Sequence, residues 1–519
     1  MQQIRAFYEA HKKWLWFSLI ATFLWGMVAH GYCFMDNNVS HDSLNEFQSA
    51  IVGNDIKIGS GRFFVPLYRD LLRSDVTLPW LIGVLSLLWI GLSVFLVVRM
   101  FRVRSKVTAF LIAGIFTVNI SVSSTAATYL HDLDCNMFSL LCAVAAVYLW
   151  REKKRGWLWG IPLLMVSLGI YQSFLFTAAS LAMMICILDL LDKRQFLQVL
   201  TDGLKAIAMI LLAGLAYFIA LRLVQAVTGV ALSSGDYNSL DLMLGLTPAV
   251  LVQMVMQAYQ DFFQRLLNAY STYPQILVNL ASILLLVSIL GVLLVGALRS
   301  KLGWKESVLL LLLVVLLPLA MNMIYVLTLG GSHDLMVYSI WLVWLLALLL
   351  GDWLIGREGT GFARIQRGVI LGIVAVLLYG SVQFSNGMYL KKDMEHDAYL
   401  AMMSRVVAKM EDCDGYVSGQ TPVVFVGMPQ SLNYIAPGFK DYWNVTGMMS
   451  SDVIFMPVKS RYQAYFDYVL GVPLLLAEDS VWTQVLNSPL AEQMPAFPEK
   501  GAVRMHDGVL VVKLEQLED

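Results

Sequence analysis

The chain has 519 residues, 58% of them hydrophobic and 14% charged, with a net charge of −1 and a mean hydropathy of +0.67. Soluble domains are about 25% charged, so these values exclude a soluble enzyme, a disordered chain and a nucleic-acid binder, which needs a basic face. Five cysteines cannot staple a chain of this length, and the long apolar runs predict an all-α polytopic membrane protein.

A span needs about 20 apolar residues. In chain order the spans are predicted at 14–35, 78–98, 107–125, 135–150, 157–170, 173–191, 206–228, 276–298, 307–328, 335–355 and 368–388, which makes eleven. The first run is longer than a signal-peptide core and lacks a small-residue cleavage site, so it reads as an anchor. The fifth and sixth come from one stretch, because 157–188 carries no charge. As a single helix, 157–191 would be about 50 Å long, too long to cross once. Basic clusters flank it on both sides (Arg151 to Arg155, and Lys193-Arg194), so an even number of crossings separates them, with the turn at Gly169–Ser173.

With the N-terminus in the cytoplasm, the six inner segments carry three or four Lys or Arg each. The outer loops ahead of the tail carry only Lys57, Arg62, Arg69, Arg73 and Arg265. That is the positive-inside bias. A further span at 242–262 would place Arg299, Lys301 and Lys305 outside, so that stretch is read as interfacial. Two outer loops, 36–77 and 229–273, are long for helix connections, and such loops usually carry function.

Residues 1–388 form the transmembrane domain. Residues 389–519 hold 17 acids and 10 bases, the composition of a small soluble α/β domain. Eleven crossings place it outside. Val423–Val426 and Val509–Val512 read as buried strands. Cys413 is the only cysteine of this region.

Ionisable groups at a membrane are expensive and mark candidate sites. The first outer loop reads Asp36-Asn-Asn-Val-Ser-His41-Asp42-Ser-Leu-Asn-Glu46. Asp42 just beyond a span is a candidate general base, or else a loop acid or helix cap. After Gly61-Arg62, residues Phe63, Phe64, Leu67 and Leu71 make one helical stripe, with Arg69, Asp70 and Arg73 away from it. This is the pattern of a helix lying in the interface, and Arg62 is placed for a lipid phosphate or for headgroup snorkelling. The next outer turn gathers His131, Asp132 and Asp134. Asn119, Ser121, Ser123, Ser124 and Thr125 make the preceding span end polar, which predicts a cavity there. The His-x-x-Asp spacing is not specific for a metal. Arg222, inside the seventh span, suits an anion or snorkels outward. Gly330-Gly-Ser-His333-Asp334 forms another outer turn.

Four stretches carry a family resemblance: Ser40-His41-Asp42-Ser43, Gly61-Arg62-Phe63, Leu133-Asp134-Cys135-Asn136-Met137, and Gly169-Ile170-Tyr171-Gln172-Ser173. In them the chain resembles the bacterial, phage-associated O-antigen glucosyltransferases that convert serotype, polytopic enzymes of the GT-C fold. The resemblance covers about 1–388. Such enzymes often show adjacent acids in the first loop, whereas Asp36 and Asp42 lie six apart.

The resemblance implies an undecaprenyl phosphate–sugar donor and a lipopolysaccharide O-antigen acceptor, with glucose transferred by inversion on the periplasmic side of the bacterial inner membrane. It implies Asp42 as base and Arg62 and Arg222 at the phosphate. Asp134, Tyr171 and Gln172 would meet the sugar, with His131, Asp132, His333 and Asp334 also substrate-binding. The leaving group is a monophosphate, so no metal or other cofactor is expected. Besides donor and acceptor, the bilayer is the expected partner, and nucleic acid is not. The alternatives are an O-antigen polymerase or ligase, a lipid-linked sugar transporter or flippase, and a non-catalytic scaffold for an outer partner.

Overall fold

The computed structural model describes residues 2–35, 50–232, 247–268, 273–427 and 459–515. Its first elements are α1 (Gln2–Met35), α2 (Ala50–Gly59), α3 (Phe64–Leu72), α4 (Pro79–Met100), α5 (Lys106–Val118), α6 (Ile120–Thr128), α7 (Leu130–Glu152), α8 (Gly156–Leu168), α9 (Phe174–Leu191) and α10 (Phe196–Thr228). Then follow α11 (Pro248–Leu267), α12 (Gln275–Ser300), α13 (Trp304–Met321), α14 (Met323–Leu327), α15 (Leu342–Glu358) and α16 (Gly361–Glu411). Among the described residues, 10 spans are long and apolar enough to cross a membrane. The one predicted span outside this set is the fifth, α8, whose 13 residues reach about 20 Å, short of a hydrocarbon core of about 30 Å. The protein is a multi-pass membrane protein.

Local chemistry sets the element ends. Ser105 caps α5 by accepting the Thr108 N–H at 3.2 Å. Thr247 caps α11 at 3.4 Å, with Pro248 in the first turn, where its missing N–H costs nothing. The predicted third span breaks at Asn119. Its side-chain oxygen takes the N–H of Ser121 and Val122 at 3.1 and 3.3 Å, which starts α6 afresh. The predicted ninth span likewise ends early, at Met321, and the tenth opens with two short 3₁₀ turns, Asp334–Met336 and Tyr338–Trp341. The predicted eleventh span does not stop at 388, since α16 runs unbroken to Glu411.

The chain forms two compact units, one of 1–35, 54–126 and 130–386, the other of 36–53, 127–129 and 387–519. Burial orders the helices of the first unit. The α5–α6 pair is 89% buried over its most apolar window, whereas α10 and α13 are each 17% buried. The former is therefore core and the latter two offer apolar side chains outward, as lipid contact requires. The polar end of the third span does not line open space. Ser121, Ser123, Ser124 and Thr125 are all buried. Ser121 donates to Asp334 O at 2.6 Å, Thr125 to Ser121 O at 2.7 Å, and Ser123 meets Ser385 at 2.7 Å. These hydroxyls find protein partners, which removes the need for water that predicted a cavity.

The second unit carries a four-stranded sheet in the order β2-β1-β4-β3. β1 (Pro422–Val426) pairs in parallel with β2 (Leu475–Leu476) and β4 (Val509–Lys513), and β3 (Val503–His506) pairs antiparallel to β4. Val423, Val424, Val426, Leu510, Val511 and Val512 are fully buried, as central strands covered on both faces should be. The Phe425 ring stacks on Tyr462 at 4.5 Å between centroids.

Candidate functional site

The site is built where α7 begins. Asp132 and Asp134 are 1% and 0% exposed, and carboxylates so far from water need cations. Those cations come from the segment before α4. Arg69 donates to Asp132 at 2.7 Å, and Lys57 Nζ hydrogen-bonds the other carboxylate oxygen. Arg73 grips Asp134 with two hydrogen bonds, 2.8 Å from Nε and 3.2 Å from Nη2. The Arg73 guanidinium also donates to the carbonyls of Val76, at 2.8 Å, and His131. His131 is buried, with Nε2 3.6 Å from Asp132.

The apolar stripe of α3 sets Arg69 and Arg73 away from Leu67 and Leu71, and the structure keeps that division with the arginines inside. Leu67 and Leu71 are 51% and 73% exposed, while Arg69 and Arg73 are buried. In a lipid environment the apolar face can point outward and the charged face inward, so this helix is amphipathic in the inverse sense. Lys57, Arg69 and Arg73 are absent from the site residues that the sequence suggests. A signal for two of them is present: positions 69 and 73 are four apart and share one helical face.

Arg62 lies beside this pair network. Its Nη1 is 4.0 Å from Asp132, and its side chain is 20% exposed. Its guanidinium stands 5.2 Å over the Tyr171 ring, a cation–π contact. The motif around it is held by backbone. Phe64 N–H donates to Gly169 O at 2.9 Å, which ties α3 to the α8–α9 turn. Gly61 sits at φ +77°, and a Cβ there would stand 2.4 Å from the Tyr217 hydroxyl. Both the left-handed backbone and the close approach require glycine. Tyr217 donates to Gly61 O at 3.1 Å and accepts from the Gln172 amide at 3.3 Å. That amide also reaches Ser60 O at 3.3 Å.

Tyr171 links this cluster to a second one. Its hydroxyl donates to Leu335 O at 3.2 Å, next to Asp334. Arg265 of α11 donates to Asp334 at 2.7 Å and to Asp261 at 2.8 Å, and Asn322 donates to the same Asp261 oxygen at 2.9 Å. His333 is half-buried beside this pair. Burial lowers its pKa, with Asp334 opposing and Arg265 adding to the shift. Tyr68, next to the Arg73 pair, accepts the Trp89 indole N–H at 2.9 Å. Burial, then the charge of Asp134, pushes its hydroxyl well above the ordinary phenol value, so it keeps its proton.

Of the sequence-derived residues, the structure thus brings together Arg62, His131, Asp132, Asp134, Tyr171, Gln172, His333 and Asp334. It leaves Arg222 apart. That side chain is exposed, 5.0 Å over the Phe218 ring and 3.5 Å from Gln225, and α10 reaches the cluster through Tyr217 instead. Asp42, Asp36, His41 and Glu46 lie outside the described residues. Among the described residues, the charges around Asp132 are Lys57, Arg62 and Arg69 against Asp132 itself and Asp75, which is 3.8 Å from Arg69. These charges meet in a setting where each is weakly screened. Among the described residues no group of three or more metal-ligating side chains occurs.

The family model for Glucosyl transferase GtrII matches residues 31–351, more than half of the chain and every residue of this site. No curated protein and no solved structure matches. The chain belongs to the GtrII glucosyltransferase family.

Arg73→Ala strands Asp134 as a buried unpaired charge, at a cost of about 3–5 kcal/mol, and is expected to lower the Tm of the purified protein steeply. Replacing both partners, Arg73→Leu with Asp134→Leu, is expected to recover most of that loss; an equal loss in the double variant would show that the pair is not its source. His333 gives a pH signature. A base with a depressed folded pKa stabilises the fold above its unfolded pKa and loses that contribution as pH falls through the folded value. Stability is therefore expected to decline below the ordinary histidine value of 6.5. His333→Gln is expected to flatten that limb of the Tm–pH curve, and an unchanged decline would acquit His333.

Proposed function

We propose that this GtrII-family protein moves glucose from undecaprenyl phosphate–glucose to a hydroxyl of lipopolysaccharide O-antigen, at the periplasmic face of the bacterial inner membrane, in one inverting displacement on a GT-C type scaffold. Family membership supplies the glycosyltransferase class. The two long outer loops and the charge bias of the short ones support the orientation, with the N-terminus cytoplasmic and 389–519 a periplasmic domain.

The observation that carries the donor assignment is the gathering of Lys57, Arg62 and Arg69 around Asp132, with Arg62 at its partly exposed edge. A polyprenyl phosphate–sugar is a phosphodiester with one negative charge. When the bond from the anomeric carbon to the phosphate oxygen breaks, that bonding pair stays on the phosphate, which becomes a monoester with a second negative charge. Fixed cations at that point favour the transition state over the ground state. The sugar passes through an oxocarbenium-like state while the acceptor oxygen bonds to the opposite face of the anomeric carbon, and its proton goes to a carboxylate, assigned to Asp42. Asp132 and Asp134, fully engaged by Lys57, Arg69 and Arg73, serve in this reading as positioning residues that set the cations. Tyr171 carries Arg62 on its ring, and Gln172, His131 and the His333–Asp334 turn border the same ground.

The test is transfer of glucose from defined polyprenyl phosphate–glucose to O-antigen by the purified chain. Asp42→Asn is expected to slow transfer about 10²–10⁴-fold with normal expression and Tm; undiminished transfer would remove Asp42 from the role. Arg62→Ala is expected to raise the donor KM about tenfold or more and to leave the acceptor KM in place. Equal changes in both would count against a phosphate contact.

A further inference from the structure

About 19 residues along α7 from Asp132, roughly 28 Å by helical rise, the opposite end of the membrane unit holds a second polar feature. A cavity of about 680 Å³ opens there between the α4–α5 turn, the last turns of α7, α9 and α15, and the start of α16. That volume falls in the range of ligand sites. We propose that it binds the phosphate headgroup of an anionic phospholipid.

Five arginines and three aspartates border the cavity. Each aspartate is already engaged. Asp189 takes two hydrogen bonds from Arg151, at 2.6 and 2.7 Å, and one from Arg194 at 2.7 Å. Asp192 takes Arg357 and the Trp353 indole N–H, each at 3.0 Å. Asp352 takes Arg367 at 2.6 Å and Thr108 at 3.0 Å. Arg102 and Arg104 have no ion pair among the described residues, and both are exposed. They bring two uncompensated positive charges to the edge of a cavity whose other guanidinium groups are fixed in place by carboxylates. Arg102 sits at φ +54°, a left-handed conformation that disfavours any side chain, and the tight turn made there sets Arg102 and Arg104 on one rim.

The wall beneath supplies the rest of a lipid site. Ile185, Leu188 and Leu349 line it at the ends of apolar spans, where glycerol and the first acyl carbons lie. Trp353, an interfacial residue type, closes one side. Basic pockets between span ends are the recognised setting for anionic headgroups. Two uncompensated charges match a lipid with two phosphodiesters better than one with a single charge. A free phosphate would meet the same guanidinium groups but make no use of the apolar wall.

The experiment follows thermal unfolding of the delipidated full-length protein in detergent, with added cardiolipin, phosphatidylcholine or inorganic phosphate. Cardiolipin is expected to raise Tm, and the other two are not. Arg102→Gln with Arg104→Gln is expected to weaken cardiolipin binding about fivefold for each charge removed, while Arg102→Lys with Arg104→Lys, which keeps both charges, retains the shift. An equal cardiolipin shift in the Gln variant and the unaltered protein overturns the proposal, and so does an equal shift by inorganic phosphate, which would make this a small-anion site. If the Gln variant does not fold, native mass spectrometry of the unaltered protein decides: preferential retention of cardiolipin over phosphatidylcholine supports the site, and equal retention overturns it.

Discussion

A carboxylate moved from water into a helical core costs several kcal/mol unless a cation meets it there with good geometry, and α7 begins with two of them. Asp132 and Asp134 are both buried, so α2, α3 and the residue after α3 have to deliver Lys57, Arg69 and Arg73 to them. Much of the local architecture follows from that requirement. α3 turns its charged face inward and its leucines outward. The Phe64 N–H binds Gly169 O, and Gly61 lets the chain pass close to Tyr217. Each contact keeps a cation within reach of its carboxylate.

The same requirement gathers cations at the end of the membrane unit where an anionic donor is proposed. Arg73 answers Asp134 alone, whereas Asp132 gathers Lys57, Arg62 and Arg69 around itself. An enzyme that must hold a phosphodiester and then a phosphate monoester, as proposed, gains from such a cluster of cations, because the charge that develops on the leaving group meets fixed dipoles and cations instead of reorganising water. Arg62 is the member of the group with partial exposure, and its guanidinium is seated over the Tyr171 ring.

At the opposite end of the spans the balance is struck differently. Asp189, Asp192 and Asp352 are each clasped by arginine from another helix or turn, so pairs between helices hold the ends of α7, α9, α15 and α16 in register. The positive excess there sits in the short α4–α5 turn. Both boundaries thus use buried or half-buried ion pairs for structure.

What the amino-acid order determined by itself was whatever depends on neighbours along the chain. Runs of apolar residues placed the spans, the uncharged stretch 157–188 made a hairpin whose turn falls between Leu168 and Phe174, and the valine runs at 423–426 and 509–512 became adjacent parallel strands. The gathering of Arg62, Asp132, Asp134, Tyr171 and Gln172 was legible as motifs on one side of the membrane. Tertiary structure alone decided which charges meet. Arg73 and Asp134 are 61 residues apart, and Arg265 and Asp334 are 69 apart. It also decided that Ser121, Ser123 and Thr125 bury their hydroxyls against protein, that α10 offers Tyr217 and not Arg222, and that α16 continues past residue 388. The physical reason is that hydropathy and periodicity sum a residue's preference for solvent over its own element, whereas a buried charge or hydroxyl is stable only beside a particular partner, and that partner is fixed by how distant helices pack.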